Sequence, residues 1–128
     1  MGQANAWRTY REIAVFTPVI RVGQLEIDIV HRWVRVDGHD LQLTPLELSL
    51  LCLLAANAGQ VLTRDEILDS VWGSDYAAES NLVDHHVRNL RAKLRDDWRR
   101  PRYVATVPGK GYRFLLTGPD HEPAGAAR

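Results

Sequence analysis

Apolar and polar positions follow two successive rhythms along the chain. From Val19 the spacing is two: Leu25, Ile27 and Ile29 alternate with Glu26, Asp28 and Val30, and Val34 and Val36 alternate with Arg35 and Asp37. Successive side chains of a strand point to opposite faces, so this rhythm predicts short strands with one buried side. Turn residues such as Asp37-Gly38 separate the runs "VIRVGQLEIDIV", "RWVRVDG" and "HDLQLT", which predicts a small antiparallel sheet. Residues 1–18 show no clean period and read as a linker, an N-terminal extension or an extra strand.

At "TPLE" the rhythm changes to that of a helix. Thr44 can cap it, Pro45 suits its first position, and Glu47 completes a capping box. Leu46, Leu50, Leu53 and Leu54 follow at helical spacing, and Asn57 to Gly59 supply the stop. "TRDE" repeats the device: Thr63 caps, Glu66 closes the box, Ile67, Leu68, Val71 and Trp72 form the buried side, and Gly73 ends the helix. "SDYAA" reads as a loop, and Ser80 can cap a third helix. A basic connector, "WRRPR", leads to two short runs, "YVATV" and "YRFLL", joined by "PGKG", which predicts a β-hairpin with a glycine-rich tip. The tail from residue 117 to 128 is rich in Pro, Gly and Ala and is expected to be disordered. The expected fold is α+β: an antiparallel sheet, three helices and a C-terminal hairpin, forming one domain over residues 19–116.

The third helix, within "ESNLVDHHVRNLRAKLR", has two unlike sides. With Val83 at zero on a wheel of about 100° per residue, Val87 falls at about 40°, Leu90 at about 340° and Leu94 at about 20°. Opposite this stripe lie Asn81, His85, Arg88 and Ala92, with Asn89 beside them. Arg91, Arg95 and Asp84 flank one side, and Leu82, His86 and Lys93 the other. Arginine can donate two hydrogen bonds to guanine, and asparagine can both donate to and accept from adenine in a major groove wide enough for a helix. Leu82 lies off the core stripe, where it either packs under the preceding loop or touches a thymine methyl. At the hairpin tip Lys110 can reach a phosphate, while Gly109 and Gly111 allow close backbone approach. Taken alone, each feature has a plain structural reading as a solvated helix face or an ordinary turn.

Composition sharpens this picture. The 128 residues suit one modest core, and the most apolar stretch, "LELSLLCLLAA", is too short to cross a bilayer. Arg8, Arg11 and Glu12 break any signal-like run, and Cys52 is the only cysteine, so no intrachain disulfide can form. A cytoplasmic setting without a membrane partner is expected. The formal net charge of +0 hides a separation. From Glu79 to Leu116 nine basic residues face four acids, a balance of +5 that leaves −5 on the rest of the chain. One basic end can orient a neutral molecule on a polyanion.

The blocks "LTPLELSLLCLLAANAGQVLTRDEILDSVWGSDY", "NLVDHHVRNLRAKL" and "ATVPGKGYRF" resemble the OmpR/PhoB-type winged-helix DNA-binding domain, the effector half of many bacterial two-component response regulators. The resemblance spans about Val19 to Leu116 with the blocks in order. It implies an N-terminal four-stranded sheet, three helices and a wing, with the third helix (about 80–95) in the major groove and the wing (about 103–115) on the adjacent minor groove. By position, it assigns groove contacts to Asn81, Leu82, His85, His86, Arg88 and Asn89, and backbone contacts to Arg91 and Arg95. Thr106, Lys110 and Tyr112 would face phosphates from the wing. The loop of Gly73, Ser74, Asp75, Tyr76, Ala77, Ala78 and Glu79 corresponds to the segment that meets RNA polymerase in the family's activators. The implied partner is double-stranded DNA, bound as direct repeats by head-to-tail copies.

Two departures bear on specificity. Pro108 stands where many members carry arginine, so the minor-groove contact is weakened or moved to Lys110. Asn81-Leu82 replaces a basic and a hydroxylic residue found in some members. The receiver domain that precedes this domain in the family has no counterpart in these residues, which leaves an excised domain and a stand-alone regulator as alternatives.

Competing chemistries are poorly supported. His85 and His86 are adjacent on a helix and diverge by about 100°, whereas a two-histidine metal clamp needs spacing near three or four. Cys52 sits mid-helix among apolar residues and reads as core, and no phosphate cradle or nucleophile with a nearby base is visible. No catalysis, metal, cofactor or small-molecule substrate is expected. The competing function is a protein-interaction module using the same surface. Trp72 is expected in the core and Trp33 at the sheet edge. Trp98 can staple the connector or touch a phosphate, and packing is the favoured expectation.

Overall fold

A computed structural model describes residues 19–73 and 81–116. Strands β1 (Val19–Val22), β2 (Leu25–Asp28), β3 (Trp33–Val36) and β4 (His39–Asp40) form an antiparallel sheet in that order. The register places Ile27 between Ile20 and Val34, and Leu25 between Val22 and Val36, so alternate residues share the buried face. Leu25 and Ile27 are fully buried there. The Asp37-Gly38 turn behaves as its residues predict. Both adopt positive φ (55° and 78°), as a two-residue turn between Val36 and His39 requires if its twist is to match the strands.

Helix α1 (Pro45–Ala56) and helix α2 (Arg64–Val71) both start with complete capping boxes. The Thr44 hydroxyl accepts from the Glu47 amide at 3.1 Å, and Glu47 accepts from the Thr44 amide at 2.9 Å. Thr63 and Glu66 repeat this at 3.0 and 2.9 Å. Each cap satisfies helix-end donors that would otherwise lack partners, worth about 1 kcal/mol. α1 differs from its expected stripe. Leu51, Cys52 and Ala55 are buried with Leu50 and Leu54, whereas Leu46 is exposed. The helix packs on α2, on the third helix and on the hairpin, so a one-sided reading of its leucines undercounts the sides that meet protein.

Helix α3 (Asn81–Leu94) follows, then β6 (Val104–Val107) and β7 (Gly111–Phe114). The hairpin acquires a third strand that the sequence pattern did not reveal. β5 (Val61–Thr63) pairs with β7, giving the order β5-β7-β6. Three residues carry no readable alternation; they are a strand because β7 offers them an edge. Gly111 makes that pairing possible. A Cβ placed on it would lie 2.0 Å from the Leu62 carbonyl oxygen. The close approach expected of this glycine is therefore to the protein's own β5, while Gly109, at φ 74°, turns the wing tip in open space.

Trp72 is half-buried against the core, and Trp33 is half-buried at the sheet with the Arg35 guanidinium 4.3 Å from its ring centre. Trp98 does not pack as expected: it is 62% exposed. Cys52 is buried, and burial raises its thiol pKa. Among the described residues no helix is long and apolar enough to cross a membrane.

Candidate nucleic-acid interface

Val83, Val87, Leu90 and Leu94 lie at 1% exposure or less, so α3 is sunk in the core along one edge. The opposite edge is open: Asn81, His85, Arg88 and Ala92 are exposed, and Arg95 is exposed at the helix end. The side chain of Arg88 makes no hydrogen bond or close ion pair among the described residues, and neither does that of Lys110, which is exposed at the wing tip. His85 and Asn89 stand at the outer limit of a hydrogen bond, with Asn89 Nδ2 3.5 Å from His85 Nε2. His86 is half-buried. Its Nδ1 lies 3.0 Å from the Leu82 carbonyl oxygen, which it can reach as a donor, and its ring meets Trp72 edge-on at 5.0 Å. Leu82 is half-buried against the core.

Other expected contacts are turned into the protein. Arg91 is half-buried; its Nε and Nη2 donate to the Val104 carbonyl at 3.2 and 2.9 Å, and Nη2 donates to Thr106 Oγ1 at 2.7 Å. Burial lowers the pKa of its guanidinium from the usual arginine value. Tyr112, expected to face phosphates, is 4% exposed and its hydroxyl donates to Asp84 Oδ1. Arg64 Nε donates to the same oxygen at 2.7 Å. The guanidinium carbons of Arg64 and Arg91 lie 5.3 and 5.5 Å from the centre of the Tyr112 ring. Arg64, Asp84, Tyr112, Arg91 and Thr106 thus tie the start of α2, the first turn of α3 and the wing into one unit. Burial tends to raise the Asp84 pKa, but the bonds from Tyr112 and Arg64 outweigh it and hold the carboxyl below its ordinary value. Burial, with the Asp84 carboxylate, pushes the Tyr112 hydroxyl up to about 12.

The end of α3 is fixed without a glycine. Arg95 takes a left-handed φ of 57°; its amide donates to the Ala92 carbonyl at 3.2 Å, and the Asp96 amide donates to the Arg91 carbonyl at 2.8 Å. Asp96, buried, then accepts from the amides of Arg102, Tyr103 and Val104 at 2.6, 3.1 and 2.9 Å. On the other flank Lys93 Nζ reaches Glu47 Oε1 of α1 at 2.6 Å. Sequence reasoning missed Arg64, Asp84 and Asp96 as parts of this site. The available signal was an acid embedded in a basic helix, which implies a neutralising neighbour but does not name it.

Of the loop 73–79 expected to meet RNA polymerase, residues 74–79 lie outside the described residues, as does the expected cap at Ser80; Gly73 closes α2 with φ 101°. Among the described residues no three His, Cys, Asp or Glu side chains converge as a metal site would require.

A three-helix unit with a β-hairpin beside its third helix is a winged helix-turn-helix domain. The chain belongs to the OmpR/PhoB-type family of effector domains: residues 38–114 match the family described as "Transcriptional regulatory protein, C terminal". This is a class of transcription-regulator domains and not a class of enzymes. The chain is 44% identical over 96 residues to the uncharacterized transcriptional regulatory protein YcbL of Bacillus subtilis, covering 75% of this chain and 42% of that one. It is 43% identical over 95 residues to the DNA-binding response regulator MtrA of Mycolicibacterium smegmatis, covering 74% and 42%. The match thus spans less than half the length of either relative. Among solved structures, the Klebsiella pneumoniae RstA DNA-binding domain in complex with the RstA box aligns with a TM-score of 0.70 at 36% identity, covering 77% of this chain and 97% of that one. The Thermotoga maritima response regulator DrrB, an OmpR/PhoB homolog, aligns with a TM-score of 0.71 at 30% identity, covering 84% and 50%.

Proposed function

We propose that this chain binds double-stranded DNA sequence-specifically to regulate transcription, with α3 in the major groove and the wing on the neighbouring minor groove or backbone. The observation that carries the reading is the two-sided α3: a fully buried edge holds the helix while Asn81, His85 and Arg88 project outward beside the cationic wing tip. The likeness to a domain solved on its DNA box supports it. In this reading Arg88, Asn81 and His85 reach base edges, with Asn89 and His86 beside them, and Lys110 and Arg95 take phosphates. Leu82, Arg91, Thr106 and Tyr112 act by setting the pose of the helix and wing.

By family analogy, copies sit head to tail on direct repeats, and the loop 73–79 meets RNA polymerase. The protein works in the cytoplasm, by binding and not by catalysis. Residues 1–18 serve as an extension or linker and residues 117–128 as a tail.

The test is selection from a random duplex pool, followed by titration of the winners across salt. Affinity should fall log-linearly as salt rises, because each neutralised phosphate releases counterions. A pool that returns no enriched sequence, or binding indifferent to salt, would refute the reading and favour a protein-interaction module.

A further inference from the structure

A line of rings runs from the core to the outer face of α3. Trp72, half-buried at the end of α2, meets the His86 ring edge-on at 5.0 Å. His86 meets the His85 ring edge-on at 5.6 Å, with 84° between the planes. The line ends on an amide one helical turn further on, where Asn89 Nδ2 lies 3.5 Å from His85 Nε2. We infer that His85 and Asn89 read one adenine·thymine pair as a unit, with His85 setting the direction of the Asn89 amide and the amide bonding the adenine edge. This rests on the proposed binding of duplex DNA and adds to it the identity of one base and of the side chain that reads it.

Each link fixes the next. The Leu82 carbonyl can only accept, so His86 Nδ1, 3.0 Å away, donates to it and that ring is held. His85, exposed, keeps its angle against the held ring. Asn89 Nδ2 can only donate, so its bond makes His85 Nε2 the acceptor and puts the neutral ring's proton on Nδ1. The amide nitrogen carries two N–H groups, and one points at His85. The other N–H and the carbonyl oxygen of Asn89 have no partner among the described residues. At 3.5 Å the bond to His85 is near its outer limit, so it aims the amide and leaves it room to adjust to a base.

What faces outward is one acceptor beside one donor. In the major groove adenine offers the complement, an N6–H to give and N7 to accept, whereas guanine offers two acceptors, N7 and O6. The reverse amide orientation, with its carbonyl towards the ring, would leave only N–H groups outward and would suit guanine or a phosphate. The bond to His85 Nε2 selects the adenine pattern. The acid next to His85 does not compete for the amide, because Asp84 is already bonded by Arg64 and Tyr112.

The experiment uses a duplex selected by the intact chain and its single-base variants, with H85A, H85Q, N89A and the double variant H85A/N89A. N89A should weaken binding about tenfold and level the ranking of bases at one position, where the wild type prefers adenine. H85A should weaken binding about three- to fivefold and blur the ranking at that same position. H85Q, whose amide oxygen can accept the same N–H, should recover the adenine preference. Adding H85A to N89A should change that ranking no further. Purine lacks the 6-amino group and 7-deazaadenine lacks N7; either one at that position should weaken the wild type and leave N89A unchanged. Thermal unfolding of the variants should match the wild type, because neither side chain belongs to the core. If the position that N89A levels prefers guanine, or if H85A leaves every ranking unchanged, the pair does not read adenine and the DNA reading stands. If the wild type enriches no duplex, both fall together.

Discussion

Arg88 and Arg91 stand three residues apart on the same helix, and they have opposite surroundings. The side chain of Arg91 is half-buried and gives three hydrogen bonds to β6, whereas that of Arg88 is exposed and gives none among the described residues. The wing repeats the contrast two residues apart: Lys110 is open at the tip, while Tyr112 is buried with its hydroxyl on Asp84. Residue type does not separate Arg88 from Arg91. The inward ones fix the angle between α3 and the wing, and the outward ones remain available to a ligand held at that angle.

The largest effect should come from removing the support of the inward set. Gly111→Ala places a methyl group 2.0 Å from the Leu62 carbonyl oxygen and should cost more than about 3 kcal/mol, read by urea denaturation. Gly109→Ala, with nothing within 4 Å, should cost only about 1 kcal/mol for its left-handed backbone. Equal losses would mean that β5 does not press on β7.

Arg88→Ala should separate binding from folding. Affinity for a selected duplex should fall by roughly 1–3 kcal/mol with preference relaxed at one base pair, while stability stays within about 0.5 kcal/mol. Unchanged ranking of base variants would make Arg88 a backbone contact.

Asp84→Asn should do the reverse in kind, with a smaller effect. Its carboxylate is 40% exposed, so losing the charge on the bonds to Arg64 and Tyr112 should cost about 1 kcal/mol of stability, below the usual range for a charged hydrogen bond because solvent screens it. The pH dependence of unfolding identifies the pair. The folded-state pKa of Asp84 is below 3.8, so its contribution is complete above that value and is lost as pH falls through the lowered one. That of Tyr112 is raised from 10.0 to about 12, so its contribution is present below pH 10.0 and is lost as pH rises towards 12. Tyr112→Phe should remove the alkaline loss, and a variant whose Tm still falls above pH 10.0 as steeply as the wild type's would contradict the assignment.

The smallest effect belongs to Lys110→Ala, which should weaken all duplexes alike and make the salt slope shallower by about one. An unaltered slope would remove Lys110 from the outward set.

Much of the frame is legible in the chain. Both capping boxes, the Asp37-Gly38 turn and the stripe of Val83, Val87, Leu90 and Leu94 stand where the residues predict. These depend on contacts a few residues apart, or on a period that one element imposes by itself. The site is less legible. Arg91 and Tyr112 were expected to face DNA but are engaged 13 and 28 residues away, at Val104 and Asp84. Trp98 was expected to pack and is open. β5 was not expected, because three residues form a strand only beside a partner.

The chain by itself determined where α1 and α2 start, where the Asp37-Gly38 turn falls and which edge of α3 is apolar, because capping, turn geometry and hydrophobic period are local properties. Only the tertiary structure decided which of several like polar groups are engaged and which are open. A hydrogen bond depends on positions in space, and Asp84, Arg64 and Tyr112 meet only once α2, α3 and the wing have packed together.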